Sequence, residues 1–313
     1  LQLDSGFGPV GAPRKDTLQT AEFLVQLAVN IVVLASIYAL IACGYVLIYR
    51  VSRVLNLAHG ELMMLGAYMV LATASLFNGH PAIALAAAIL LSLATGALVY
   101  IFLMRKMTGE MVLAAILTTV ALGIFIRGLV VLIWSAQQQY PAQALGVPNP
   151  SLVLFGARIS MWSAVLVATT VIVYAGLFAF LRFGRWGMRM RAAGQNPLLA
   201  AQRGINLHGI YALAWSLSTL TGALAGILMA LDSGVTGGMP VIGLKAFPAA
   251  LVGGLDSLVG ALVGSLIVAA AEVLLIYYVD PLLSDVVPFL VLIAMLIVRP
   301  WGLFGTREEL DRV

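Results

Sequence analysis

Seven long runs dominated by apolar residues, at positions 23–49, 57–77, 82–104, 111–134, 160–181, 208–231 and 258–279, follow one another along almost the whole chain. Each is long enough to cross a hydrocarbon layer of roughly 30 Å as an α-helix. Inside a bilayer every backbone N–H and C=O must find a partner within protein, and only helices and closed barrels achieve that across a span. With 62% hydrophobic and 10% charged residues and a mean hydropathy of +1.05, too little polar surface remains to coat a water-soluble globule. The expected class is an all-α, polytopic integral membrane protein with about eight full transmembrane helices plus one short or broken membrane helix. The run 284–299 is the marginal eighth. The broken helix lies between Val241 and Leu255, interrupted by Pro248 and ended by Gly253-Gly254. Residues 21–305 are expected to form one integral domain, with an outer N-terminal segment 1–20 and a cytoplasmic tail 306–313.

Sidedness follows from the arginines and lysines, which concentrate in cytoplasmic loops. With segment 182–206 inside and the spans alternating, the cytoplasmic side holds Arg50, Arg53, Arg105, Lys106, Arg182, Arg185, Arg189, Arg191, Arg203, Arg299, Arg307 and Arg312. The outer side keeps Arg14, Lys15 and Arg158, while Arg127 and Lys245 fall within spans. The N-terminus is then outside and the C-terminus cytoplasmic. A net charge of +4 distributed in this way gives no reason to expect nucleic acid. Cys43 is the only cysteine, so one chain can build neither a disulfide framework nor a thiolate metal site. No Gly-x4-Gly-Lys-Ser/Thr occurs, and none of Lys15, Lys106 and Lys245 sits in a phosphate-binding loop, so the chain does not hydrolyse ATP by that route.

Arg182–Asn206 carries five arginines and no acidic residue. Within it, Asn196-Pro197-Leu198-Leu199-Ala200-Ala201-Gln202-Arg203-Gly204 has the signals of a short isolated helix. Asn196 can cap it, Pro197 suits its first position, and Gly204 can end it in the left-handed conformation. About two turns of helix are not stable alone in water, so this one must dock on something.

Four blocks carry a resemblance to a known family. The first is Ile37-Tyr38-Ala39-Leu40-Ile41-Ala42-Cys43-Gly44-Tyr45, followed by Val54-Leu55-Asn56-Leu57-Ala58-His59-Gly60-Glu61 and Met64-Leu65-Gly66-Ala67-Tyr68. The second runs from Gly187-Met188-Arg189-Met190-Arg191-Ala192 through Asn196-Pro197 and Ala200 to Gly204-Ile205-Asn206. The third is Gly243-Leu244-Lys245-Ala246-Phe247 with Gly253-Gly254-Leu255-Asp256-Ser257 and Gly260-Ala261, and the fourth is Val298 to Gly305. In that order they resemble the permease subunits of branched-chain amino acid ABC importers, of the LivH type; urea and short-chain amide permeases are similar over the same blocks. Asp256 departs from the glycine common there, and the loop 135–158 matches nothing in the family.

The resemblance implies a permease of the bacterial inner membrane working by ATP-driven alternating access. Its implied partners are a second homologous permease, two cytoplasmic ABC ATPases and a periplasmic substrate-binding protein. No cofactor is expected in this chain, ATP and Mg belonging to the ATPases. The segment from Asn196 to Gly204, including Pro197, Leu198, Leu199, Ala200, Ala201 and Arg203, is then the helix through which the ATPase couples to the spans.

Charged residues inside the bilayer are costly and invite partners. Arg127 and Glu272 each stand seven residues from the outer end of an expected span, and equal depth with opposite sign predicts that they pair, structurally or as part of a polar substrate route. Lys245 at the outer end of the broken helix and Asp232 at the end of the sixth span are the other candidates for that route. Snorkelling to the interface is the simpler account of Lys245. His59 and Glu61, lacking His-Glu-x-x-His spacing, are read as pinning the entry of the second span by hydrogen bonds. Gly222-to-Gly226 and Gly260-to-Gly264 have small-xxx-small spacing, expected to serve packing within the subunit. A channel would need a selectivity filter, and an intramembrane enzyme a nucleophile with its base or a metal; His59, His80 and His208 all fall near span ends.

Overall fold

The computed structural model describes residues 14–77, 80–154 and 156–306. Residues 1–13 of the expected N-terminal segment, and 307–313 of the tail with Arg307 and Arg312, lie outside the described residues. Twelve helices are found there: α1 (Arg14–Ser52), α2 (His59–Leu76), α3 (Pro81–Phe102), α4 (Val112–Trp134), α5 (Pro141–Leu145), α6 (Met161–Phe183), α7 (Arg185–Gln195), α8 (Pro197–Gln202), α9 (Leu207–Ser233), α10 (Pro240–Gly253), α11 (Leu258–Tyr278) and α12 (Val287–Val298). Two short 3₁₀ segments, Met104–Met107 and Pro281–Asp285, join them. Six helices, α1, α3, α4, α6, α9 and α11, are long and apolar enough to cross a membrane, whereas α10 and α12 are shorter apolar helices.

Three expectations change. Among the described residues α1 extends past the expected run 23–49 on both sides, covering Arg14–Ser52, 39 residues. The chain is not purely helical: within the unassigned loop 135–158 and just beyond it lie α5 and an antiparallel hairpin of β1 (Ser151–Leu154) and β2 (Ala157–Ser160), with Leu154 opposite Ala157. Gly156, at φ +86°, provides the turn, because a left-handed residue costs least without a Cβ. The hairpin is tied to α1 by Gln26, whose Oε1 accepts from the Arg158 N–H at 2.8 Å and whose Nε2 donates to the Arg158 carbonyl at 3.1 Å. Finally, the run 284–299 is divided: Pro281–Asp285 is a 3₁₀ turn, and α12 has only 12 residues.

The core is built on α1, whose residues Tyr38 to Ile48 are buried almost without interruption. Helices α9, α10 and α11 pack on α1, while α2 and α3 pack on α9, α4 leans on α2, and α6 spans α1 and α9. Glycines set the closest approaches. Gly226 of α9 meets the Met63 carbonyl of α2, and Gly264 of α11 meets Ala249 and Gly253 of α10. The small-residue spacing therefore serves packing within the subunit, as expected. At Gly60 an added Cβ would stand 2.6 Å from the Pro240 carbonyl oxygen, whereas at Gly176 it would meet nothing within 4 Å. Gly60→Ala should therefore cost about 1–3 kcal/mol by overpacking, with Gly176→Ala leaving the unfolding transition in place. Thermal unfolding in detergent reads both, and equal midpoints would sink the claim that the α2–α10 contact is rigid.

Candidate functional site: a buried charge cluster and an exposed short helix

Most arginines gather at one end of the bundle, here the basic end, where α7 and α8 lie; the hairpin marks the other. At 1.5 Å per residue, α10 with its 14 residues is about 21 Å long and α12 with 12 about 18 Å. Both reach the basic end: Gly253 and Gly254 of the α10 terminus pack against residues 302–305, which follow α12. Neither is long enough to reach the other face, so the 3₁₀ turn Pro281–Asp285 sits at intermediate depth.

At that turn the charges converge. Lys245 of α10 donates to Glu272 Oε1 of α11 at 2.5 Å and to Asp285 Oδ1 at 3.3 Å. Tyr38 of α1 donates its hydroxyl to Glu272 Oε2 at 2.6 Å. The Lys245 and Glu272 side chains are 11% and 4% exposed, but that of Asp285 is 74% exposed. One ammonium thus bridges a buried carboxylate and an open one, and with Tyr38 the cluster joins four elements. Helix α10 starts with Pro240 at its first turn and tolerates Pro248 within it; Gly243 offers its carbonyl to the Tyr45 hydroxyl at 3.2 Å.

The expected pairing of Arg127 with Glu272 is overturned. Arg127 instead donates to Glu61 Oε1 at 2.8 Å, and Glu272 is taken by Lys245 and Tyr38. The reason is depth. Helix α2 does not start at the basic face: residues 53–58 lead the chain inward without regular helix, and Leu57 N–H donates to Thr119 Oγ1 of α4 at 3.1 Å. Glu61 therefore lies against Gly123, one turn from Arg127. His59 is fully buried in the same place, its ring against Gly44 and Gly222, with Ser218 Oγ 3.5 Å from Nδ1. Both residues hold the start of α2, but inside the bundle and not at its surface. Lys245 does not snorkel either; it is buried and paired.

Asp232 belongs to a separate polar patch at the hairpin end. Its carboxylate accepts from Asn149 Nδ2 at 2.9 Å and from Ser163 Oγ at 3.1 Å, beside a cavity of about 340 Å³ between α1, α6 and β2. The four residues expected along one route thus fall into three groups, Lys245 with Glu272, Arg127 with Glu61, and Asp232 with Asn149 and Ser163. Tyr38 and Asp285 are the members that sequence reasoning leaves out, whereas Glu61, expected only to pin the entry of the second span, gains Arg127 as its partner. A tyrosine in an apolar run and an aspartate before a proline-started helix are the only signals they leave.

The short helix forms where expected, as α8. Asn196 Oδ1 accepts from Leu199 N–H at 3.0 Å, Pro197 takes the first turn, and Gly204 has φ +78°. Leu198 and Leu199 are exposed at 69% and 57%, beside exposed Ala201, Gln202 and Arg203. Ala200 points the other way and is buried. The preceding helix α7 was not anticipated; its buried Gly187, Met190 and Ala193 recur every third residue, a signal present in the sequence. Among the described residues no group of three or more His, Cys, Asp or Glu could hold a metal ion.

The profile of a family described as "Branched-chain amino acid transport system / permease component" matches residues 27–296. The chain belongs to this permease family. It is 32% identical to the high-affinity branched-chain amino acid transport system permease protein LivH of Escherichia coli, over 93% of this chain and 98% of that protein. It is 30% identical to the corresponding permease protein BraD of Pseudomonas aeruginosa, over 92% and 98%. A probable branched-chain amino acid transport permease protein of Methanocaldococcus jannaschii is 26% identical over 88% and 90%. The chain is thus a multi-pass membrane permease, and the family's matched region contains both the charge cluster and α8.

Proposed function

We propose that this chain is one transmembrane subunit of an ATP-binding-cassette importer for branched-chain amino acids, with the basic end in the cytoplasm. The observation that carries the reading is α8: a capped two-turn helix that presents two exposed leucines at the end where the arginines gather. Such a helix gains its stability and its purpose by seating in another protein, here a cytoplasmic ATPase. The partners proposed are a second, homologous permease, two such ATPases, which bind ATP and Mg, and a periplasmic binding protein. ATP-driven movement of α8 is transmitted through α7 and α9, which flank it, and reorients the spans between inward and outward access.

Selection of cargo is assigned to the binding protein. A zwitterion held in a dry pocket needs several convergent donors and acceptors, and here the buried charges are already engaged with one another. The purified permease pair alone should bind leucine with millimolar or undetectable affinity. In proteoliposomes carrying the full assembly, leucine uptake should require both ATP in the ATPase compartment and the binding protein opposite. Submicromolar binding to the permeases alone would overturn this division of labour, and ATP-independent uptake would overturn the importer reading.

A further inference from the structure

Helices α6 and α11 each pack on α1 but hardly touch one another, which leaves a cleft floored by α1. At the basic end this cleft widens into a groove of about 330 Å³. Three arginines from three helices meet in it: Arg50 at the end of α1, Arg182 near the end of α6, and Arg191 of α7. Their convergence is built in. An added Cβ at Gly194 would collide with the Arg50 carbonyl oxygen, so the glycine lets α7 lie directly on α1 and brings Arg191 beside Arg50. Arg182 is placed by stacking, its guanidinium 5.7 Å from the ring centres of both Phe178 and Phe183.

None of the three has a carboxylate within ion-pair distance among the described residues. Asp256 borders the groove, but its carboxylate is occupied by Arg53 at 2.8 Å and Thr306 at 3.3 Å. Three like charges crowded around one groove repel each other and call for an anion. The walls below them are apolar, formed by Phe178, Leu181, Leu258 and Val259. Phe178 and Val259 are also exposed on the outer surfaces of membrane-length helices, so the groove continues onto the face that meets acyl chains. A general excess of basic residues at this end explains the number of arginines but not their meeting above an apolar cleft. An acidic protein surface would use the charges and leave the cleft without a role.

We propose that this groove binds one anionic phospholipid, its phosphate held by Arg50, Arg182 and Arg191 and an acyl chain lying against Phe178 and Val259. The bound lipid fills the gap between α6 and α11 and neutralises the charge that gathers where α7 joins the bundle. This goes beyond the transport reading and stands or falls separately from it.

The test uses the full-length chain in nanodiscs of equal phosphatidylglycerol and phosphatidylcholine, with retained lipid counted by native mass spectrometry. One phosphatidylglycerol per chain should be retained in preference to phosphatidylcholine. The triple variant Arg50→Gln/Arg182→Gln/Arg191→Gln should weaken that retention on the order of a hundredfold, about fivefold per arginine. A control triple at the same end, Arg105→Gln/Lys106→Gln/Arg299→Gln, should keep it. If the groove triple does not elute as a folded species, Arg191→Gln alone should still show the fivefold loss. Equal retention of the two lipids, or an equal loss in the control, would overturn the proposal. So would inorganic phosphate taking the place of the retained lipid, one phosphate per chain, which would make it a free-anion site. Loss of co-purifying ATPase with lipid retention unchanged would instead mark the arginines as a protein interface.

Discussion

Replacement of Glu272 by glutamine should lower the unfolding free energy by about 3–5 kcal/mol, the range for breaking one side of a buried ion pair. The Glu272 side chain is 4% exposed and accepts from both the Lys245 ammonium and the Tyr38 hydroxyl. The variant leaves Lys245, itself 11% exposed, with only Asp285 at 3.3 Å, on the open side of the cluster. Little solvent can reach the orphaned ammonium. Removing both charges together tells a different story, since apolar replacements of similar volume carry no desolvation penalty. The double variant Lys245→Met/Glu272→Leu should therefore recover most of the loss, and its excess stability over the sum of the singles measures the coupling. Denaturation followed by intrinsic fluorescence reads the wild type, Glu272→Gln, the two singles Lys245→Met and Glu272→Leu that compose the cycle, and the double variant. A loss under 1 kcal/mol in Glu272→Gln would mean that water or relaxation already solvates the site, and the cluster would not be what fixes the short helices α10 and α12 to α1.

Leu199→Asp should abolish most ATP-driven uptake, by at least tenfold, while leaving the melting temperature of the chain in place. Leu199 is 57% exposed on α8, so a carboxylate there meets water in the free subunit and an apolar seat in the assembled one. Leu198→Asp, at 69% exposure, should behave alike. Ala200→Asp is a different experiment. Ala200 is 5% exposed and faces the bundle, so its variant should lose folded protein as well as uptake. Uptake in proteoliposomes, ATPase co-purification and thermal unfolding separate the two effects. Full uptake in both leucine variants would remove α8 from the coupling path.

These two expectations differ in how far the residues alone announced them. The helix α8 is legible because its signals are local: a capping amide, a proline at the first turn and a glycine about two turns later act within hydrogen-bonding reach of their own backbone. The six long spans are legible for a similar reason, since a long apolar run in a bilayer can satisfy its own backbone groups as a helix. Even α7, overlooked, leaves its mark in Gly187, Met190 and Ala193 on one face.

The partners of the buried charges were decided elsewhere. Counting residues from the ends of runs put Arg127 level with Glu272, and that count assumes that every helix begins at the membrane surface. Helix α2 begins only after residues 53–58 have carried the chain inward, which delivers Glu61 to Arg127; α10 and the turn before α12 bring Lys245 and Asp285 to Glu272 in the same manner. Residue order thus determined the helices, their caps and the basic end, because those depend on contacts within a few residues and on the apolar medium. Which charge meets which was settled only by tertiary structure, because the depth of a helix start is set by what the glycines at its neighbours allow to approach.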